Sequence, residues 1–175
     1  FCHEWRTKLE CCAGPATPTL DALAKRGTKF WGGARIMGGD TGAVCVPSRA
    51  ALQTGCGSRR ALANPKSELV AERHRMNPDR ILLGEVFRSA GYYNHAVGKW
   101  HNDPASLNRG FEFGSALFLG GMGQHENPAL HSYDSSGGYP VVNAVTTPGF
   151  STELFADAAI KVIEESKNRF TPFLL

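Results

Sequence analysis

Apolar residues recur at helical spacing in several stretches of this chain and run nearly unbroken in others. Residues 17–27 hold Leu20, Leu23 and Ala24 on one side, between a threonine cap with a following proline and a basic last turn that ends at Gly27. That order predicts a short helix with those three residues as its buried face. A brief strand is expected at 28–31. A second helix is expected from about Pro47 to Gln53. A third begins near Pro78 and Asp79, carries Ile81, Leu82, Val86 and Phe87 inward and stops at Gly91. Residues 92–97 then read as a strand that ends at Gly98, Lys99, Trp100 and His101. This helix, glycine, strand order is the return half of an α/β unit. The longest helical pattern follows Ser151, with Leu154, Phe155, Ala158, Ala159, Val162 and Ile163 on one face. It breaks at Asn168 and Arg169, and another strand begins at Phe170.

Two long stretches lack such periodicity. Residues 56–77 read as a polar, basic loop containing Arg59, Arg60, Lys66, Arg73, His74 and Arg75. Residues 102–150 are rich in Gly, Pro, Asn and Ser and read as irregular; segments of that kind in a compact domain commonly cover a site. The basic loop reads most simply as a solvated face. Net charge is +3 with 20% charged residues, which provides no dense basic stripe for nucleic acid. No apolar run is long enough to span a membrane as a helix. The start at Phe1 and the end inside an apolar run lead us to expect a piece of a longer protein, with residues 1–14 a ragged or truncated start.

The chemistry concentrates at Cys45. Of the five cysteines (Cys2, Cys11, Cys12, Cys45 and Cys56), no set has paired zinc spacing, and the count is odd. Cys45 follows a glycine-rich approach over residues 37–44 and leads into a helix with Pro47 in its first turn. Free N–H groups and the helix dipole there favour an anion. Lys99 and His101 lie two apart at a strand end, so both can face the side opposite Trp100. With Arg49 they surround the helix end with two permanent positive charges and an imidazole, which suits a sulfate or phosphate group.

These residues also carry a family resemblance. Cys45-Val46-Pro47-Ser48-Arg49 matches the Cys-x-Pro-Ser-Arg motif of the type I, formylglycine-dependent sulfatases, and the Ala-Ala-Leu-x-Thr-Gly that follows also matches. Gly98-Lys99-Trp100-His101 looks like that family's second motif. Residues 17–27, 150–157 and 171–174 resemble its early helix, a later helix and a strand, all in order. The resemblance runs from about residue 15 to the end, which makes residues 15–175 part of the N-terminal catalytic domain. It implies an alkaline-phosphatase-like α/β sandwich with a central, mostly parallel sheet flanked by helices.

The resemblance also implies a mechanism. A sulfatase-maturing enzyme would convert Cys45 to formylglycine, whose hydrate offers one hydroxyl to attack sulfur and a second to expel sulfate. Arg49 would hold that group, Lys99 a sulfate oxygen, and His101 the hydrate and its proton. A calcium ion, with the formylglycine of Cys45 among its ligands, would polarise the ester. The substrate would be a sulfate ester, most often of a carbohydrate, and the compartment periplasmic or extracellular. Residues 1–14 lack the aspartate pair that the family uses for calcium, so the chain alone is expected to be inactive. Asp40 reads as a turn residue. His125 and His131, in the irregular region, read first as solvated loop residues, with His125 the candidate contact to the alcohol part of the substrate. Two alternatives stay open: a phosphoester or phosphonate hydrolase of the same superfamily, and a non-catalytic module that binds anionic glycans.

Overall fold

A computed structural model describes residues 17–28, 45–134 and 144–175. The expected strand at 29–31, the glycine-rich approach and Asp40 lie outside the described residues. The chain divides into two compact units, residues 1–36 and 37–175. In the first, helix α1 spans Pro18–Arg26, as its proline start and basic end predict. Its expected inward face is not buried: Leu20 and Leu23 are 46% and 58% exposed. Among the described residues of its own unit, no second element is present to cover it.

The second unit is a mixed α/β layer structure. Helices α2 (Cys45–Thr54), α3 (Ser58–Ala61), α4 (Val70–His74) and α5 (Leu83–Ser89) lead into strand β1 (Tyr93–Lys99). Then come α6 (Pro104–Gly110), β2 (Phe113–Phe118), β3 (Ala129–Tyr133), β4 (Val145–Thr146), α7 (Ser151–Ser166) and β5 (Phe173–Leu174). The strands form one sheet in the order β4-β3-β2-β1-β5. Its centre is parallel, with β1 paired to β2 on one side and to β5 on the other. β3 and β4 add an antiparallel flank. Side chains alternate along β1, so Asn94 faces α5 and α6 while Tyr93 and His95 face the opposite side, where Arg169, just beyond α7, stacks on Tyr93. Helices therefore cover both faces of β1, which bears out the expected α/β class.

Several boundaries differ from those the sequence predicts. The basic stretch 56–77 is not simply a loop. It contains α3 and α4, and a bridge between Leu62 and Met76 brings both into the core with Ala61. The stretch 102–150 is also more regular than its composition implies. Asp103 caps α6 by accepting from the Ser106 N–H, with Pro104 in the first turn. α5 begins later than expected, because residues 77–80 form a turn in which Asn77 accepts from the Asp79 N–H. Its inward face is also different. Leu82 is buried, but Ile81 and Val86 are 69% and 53% exposed.

What α5 presents inward instead is Gly84. A Cβ on Gly84 would lie 2.8 Å from the Gly110 Cα, and a Cβ on Gly110 would lie 2.7 Å from the Gly84 Cα. The two helices therefore cross backbone to backbone. Asn94, fully buried beneath the crossing, donates from one amide nitrogen to the Gly84 and Gly110 carbonyls at 2.7 Å each. Those carbonyls face the interior, where an unmet acceptor would be costly. Asn94 thus ties β1 to both helices.

On the other face of β1, His95 links Tyr93 to Ser115. Its Nδ1 lies 3.1 Å from the Tyr93 hydroxyl and its Nε2 lies 2.8 Å from Ser115 Oγ. Burial pushes the imidazole down to about 4, with the Glu165 carboxylate opposing that shift and the Arg169 guanidinium adding to it. The folded value lies below the ordinary 6.5, so the unfolded chain binds more protons between those two values. The stabilisation is complete above pH 6.5 and is lost as pH falls toward 4, by up to about 3 kcal/mol. Urea unfolding at pH 7.5 and pH 4.5 measures this. The His95→Gln variant should lose less stability across the same interval than the wild type.

Candidate functional site

Helix α2 turns two sides to different neighbours. Val46 and Ala50, one turn apart, are buried in the main apolar cluster. Cys45 and Arg49, also one turn apart and so on one face, stay half-buried at the helix edge. Within the described residues the helix already includes Cys45, two residues before the predicted start. Pro47 is still tolerated, because the N–H groups of a first turn have no partner within the helix. Cys45 and Cys56 are both free thiols.

The end of β1 meets this face. A register shift between Val97 and Gly98, with Gly98 at φ +85°, turns the strand just before Lys99. The Lys99 ammonium donates to Cys45 Sγ at 3.2 Å and to the Gly121 carbonyl at 2.7 Å. The Arg49 guanidinium donates to the Lys99 carbonyl. Trp100 turns the other way, as alternation predicts. It is buried edge-on against Phe111, and its Nε1 donates to the Asp103 carbonyl.

His101 follows in the left-handed region at φ +62°, an uncommon conformation for a residue with a Cβ. The Asn102 amide donates to the Val46 and His74 carbonyls, and the Asp103 N–H also donates to His74 O. These bonds hold the segment after His101 against α2 and α4. The His101 ring meets His74 edge-on, with centroids 5.0 Å apart. Burial pushes its imidazole down to about 4, helped by the charges of Lys99, His74 and Arg49. His101 is therefore neutral at pH 7 and can accept a proton or a hydrogen bond.

The structure brings Cys45, Arg49, Lys99 and His101 into one cluster. His125 makes its contacts with the start of α7. Its Nδ1 pairs with Ser151 Oγ at 3.0 Å, its ring stacks on Phe150, and its carbonyl accepts from the Ser151 N–H. It fastens the start of α7. His131 sits on β3. Three participants were not singled out by the sequence: the Gly121 carbonyl, His74 and Asn102. Of these only Gly121 has a sequence cue, the glycine run around it, which allows a backbone group to approach closely.

The cluster has two permanent cations, a neutral imidazole and a thiol at a helix start. It can hold a tetrahedral oxyanion against the atom borne by Cys45. It does not suit calcium, which takes oxygen ligands. Among the described residues, the groups around Cys45 supply no carboxylate, and no three His, Cys, Asp or Glu side chains could hold a metal. No described helix is long and apolar enough to cross a membrane.

Residues 8–175 match the family model described as Sulfatase. An uncharacterized sulfatase of Escherichia coli K12, YdeN, is 26% identical over 190 residues, covering 93% of this chain and 31% of that protein. An arylsulfatase of Hemicentrotus pulcherrimus is 33% identical, with 89% and 31% covered. The N-acetylgalactosamine-6-sulfatase of Mus musculus is 30% identical, with 91% and 34% covered. Among solved structures, that of BT4656 in complex with its substrate D-glucosamine-2-N,6-O-disulfate superposes with a TM-score of 0.62 at 25% identity. It covers 90% of this chain and 28% of that one. The chain spans about a third of the length of the curated relatives it matches.

Proposed function

The chain belongs to the sulfatase family, and we propose that the protein carrying it hydrolyses sulfate esters of carbohydrates, with Cys45, oxidised to formylglycine by a maturation enzyme, as the nucleophile. The observation that carries this reading is the Lys99 ammonium 3.2 Å from Cys45 Sγ, at a helix start flanked by Arg49 and His101. The sulfur marks where an oxygen of the hydrated aldehyde would sit. Such a hydrate supplies two hydroxyls on one carbon, one to attack sulfur and one to lose its proton and release sulfate.

Each neighbour has a role in keeping with its geometry. Lys99 binds a sulfate oxygen and offsets charge that builds up as the ester bond breaks. Arg49 fixes the strand end through the Lys99 carbonyl and adds a second positive charge. His101, held neutral, hydrogen-bonds the hydrate and takes up its proton at the nucleophile. His125, exposed and joined to the start of α7, stays the candidate contact to the alcohol part of the substrate. The calcium ion that the family resemblance implies would take the formylglycine of Cys45 as one ligand and would need further oxygen ligands beyond this cluster. The carbohydrate class is supported by the sugar named with BT4656 and by the N-acetylgalactosamine-6-sulfatase relative.

The test uses the full-length protein from a host containing a sulfatase-maturing enzyme. Mass spectrometry of the peptide holding Cys45 should show loss of sulfur and an aldehyde that reacts with hydrazide. An unmodified thiol together with retained binding of sulfated glycans would favour a non-catalytic module. A higher kcat/KM on an aryl phosphate than on the matching aryl sulfate would favour a phosphoester hydrolase.

A further inference from the structure

The loop after β2 packs on the site and carries one large apolar side chain that stays exposed. Three of its residues are glycines that cannot accept a Cβ without crowding. At Gly121 the added atom would lie 2.4 Å from His101 Nε2 and 2.5 Å from Cε1. At Gly123 it would lie 2.7 Å from the Phe118 ring, and at Gly120 it would lie 3.1 Å from that ring. Phe118 pairs in register with Lys99, and its carbonyl accepts from the Trp100 N–H, so the ring sits beside the cluster. The loop backbone is thus pressed onto His101 and Phe118, and the Gly121 carbonyl is bonded to Lys99.

Met122 stands between these glycines and is 90% exposed. The bonds from Cys45 Sγ to Lys99 Nζ and on to the Gly121 carbonyl place the Met122 Cα no more than about 9 Å from the sulfur. That is within the span of one sugar ring whose sulfate group lies at the nucleophile. Polar residues would suit an exposed tip of this kind, whereas a flexible thioether suits an irregular apolar surface that arrives later.

We propose that Met122 is a specificity-determining residue, forming the apolar wall against which the ring of the departing alcohol packs. The inference rests on the sulfatase reading above. The sulfate end of the substrate is held by Lys99 and Arg49. Met122 touches only the part that leaves, and its contact favours substrates with an exposed apolar ring face, aromatic or pyranose.

The experiment uses the matured full-length protein, 4-nitrophenyl sulfate as substrate and inorganic sulfate as competitive inhibitor. Met122→Ala should raise KM about five- to tenfold, keep kcat within about twofold and leave the inhibition constant of sulfate unchanged. Met122→Leu should restore KM to within about twofold of wild type. An unchanged KM in Met122→Ala overturns the proposal, and a fall in melting temperature with KM unchanged shows that another part of the protein covers Met122. A parallel rise in the sulfate inhibition constant also overturns it, because Met122 would then shape the anion pocket. If the wild type hydrolyses no sulfate ester, the sulfatase reading itself falls and takes this inference with it.

Discussion

On the proposed mechanism, Cys45→Ala in the full-length protein should abolish hydrolysis of an aryl sulfate, with a loss in kcat of at least about 10³-fold. The methyl group of alanine offers no atom to attack sulfur, and the residual rate reflects only the anion cradle left behind. Cys45→Ser separates the two roles of the hydrate. A serine hydroxyl can take up sulfate once but has no second hydroxyl on the same carbon to expel it. Rapid quench of this variant should show release of no more than one equivalent of alcohol per protein, followed by arrest. Steady multiple turnover by either variant would sink the formylglycine mechanism. Because Cys45 is half-buried at the edge of α2, neither change should unsettle the core formed by Val46 and Ala50.

Lys99→Ala lowers kcat/KM by about 10² to 10³-fold, the usual scale for removing one group that stabilises developing charge in a protected site. The ammonium occupies a narrow place between Cys45 Sγ at 3.2 Å and the Gly121 carbonyl at 2.7 Å. A guanidinium is wider and planar, so Lys99→Arg should keep the charge yet recover less than a tenth of the activity. Full recovery by Lys99→Arg would mean that charge alone matters and that the geometry at Gly121 does not. Steady-state kinetics on one aryl sulfate, with the fraction of converted Cys45 measured in each preparation, decides between these.

Where hydrophobic spacing is regular the helices form as expected, although Leu20 and Leu23 of α1 and Ile163 of α7 stay exposed. Helix α7 follows its apolar stripe, with Val162 buried and Leu154, Phe155, Ala158 and Ala159 half-buried. β1 follows its apolar run. The site was legible because two short-range rules apply: Cys45 and Arg49 are one helical turn apart, and Lys99 and His101 flank a tryptophan that must bury itself. The misreadings share a physical cause. In α5 the buried contact is made by Gly84, which carries no apolar side chain to register in any pattern. Ile81 and Val86, which do register, stay exposed. In β2, Gly114 lies where a Cβ would be 2.4 Å from Leu117 and 2.5 Å from the Tyr133 ring, so close packing there requires a residue that reads as a turn. The Gly121 carbonyl is a backbone group, and its one trace in the sequence is the glycine run around it. Asp103 followed by Pro104 was a readable helix start hidden among turn-forming residues.

If Lys99 binds sulfate as proposed, its ammonium is already in place before substrate arrives. A lysine side chain free in solvent has about 2 kcal/mol of rotamer freedom to lose when it grips a ligand. Here the Gly121 carbonyl and Cys45 already hold the ammonium, and Arg49 holds the peptide behind it. That ordering is charged to folding, so sulfate meets a side chain with little left to freeze. The entropic cost of capture is lowered, and what remains is the exchange of water and two weak partners for an anion.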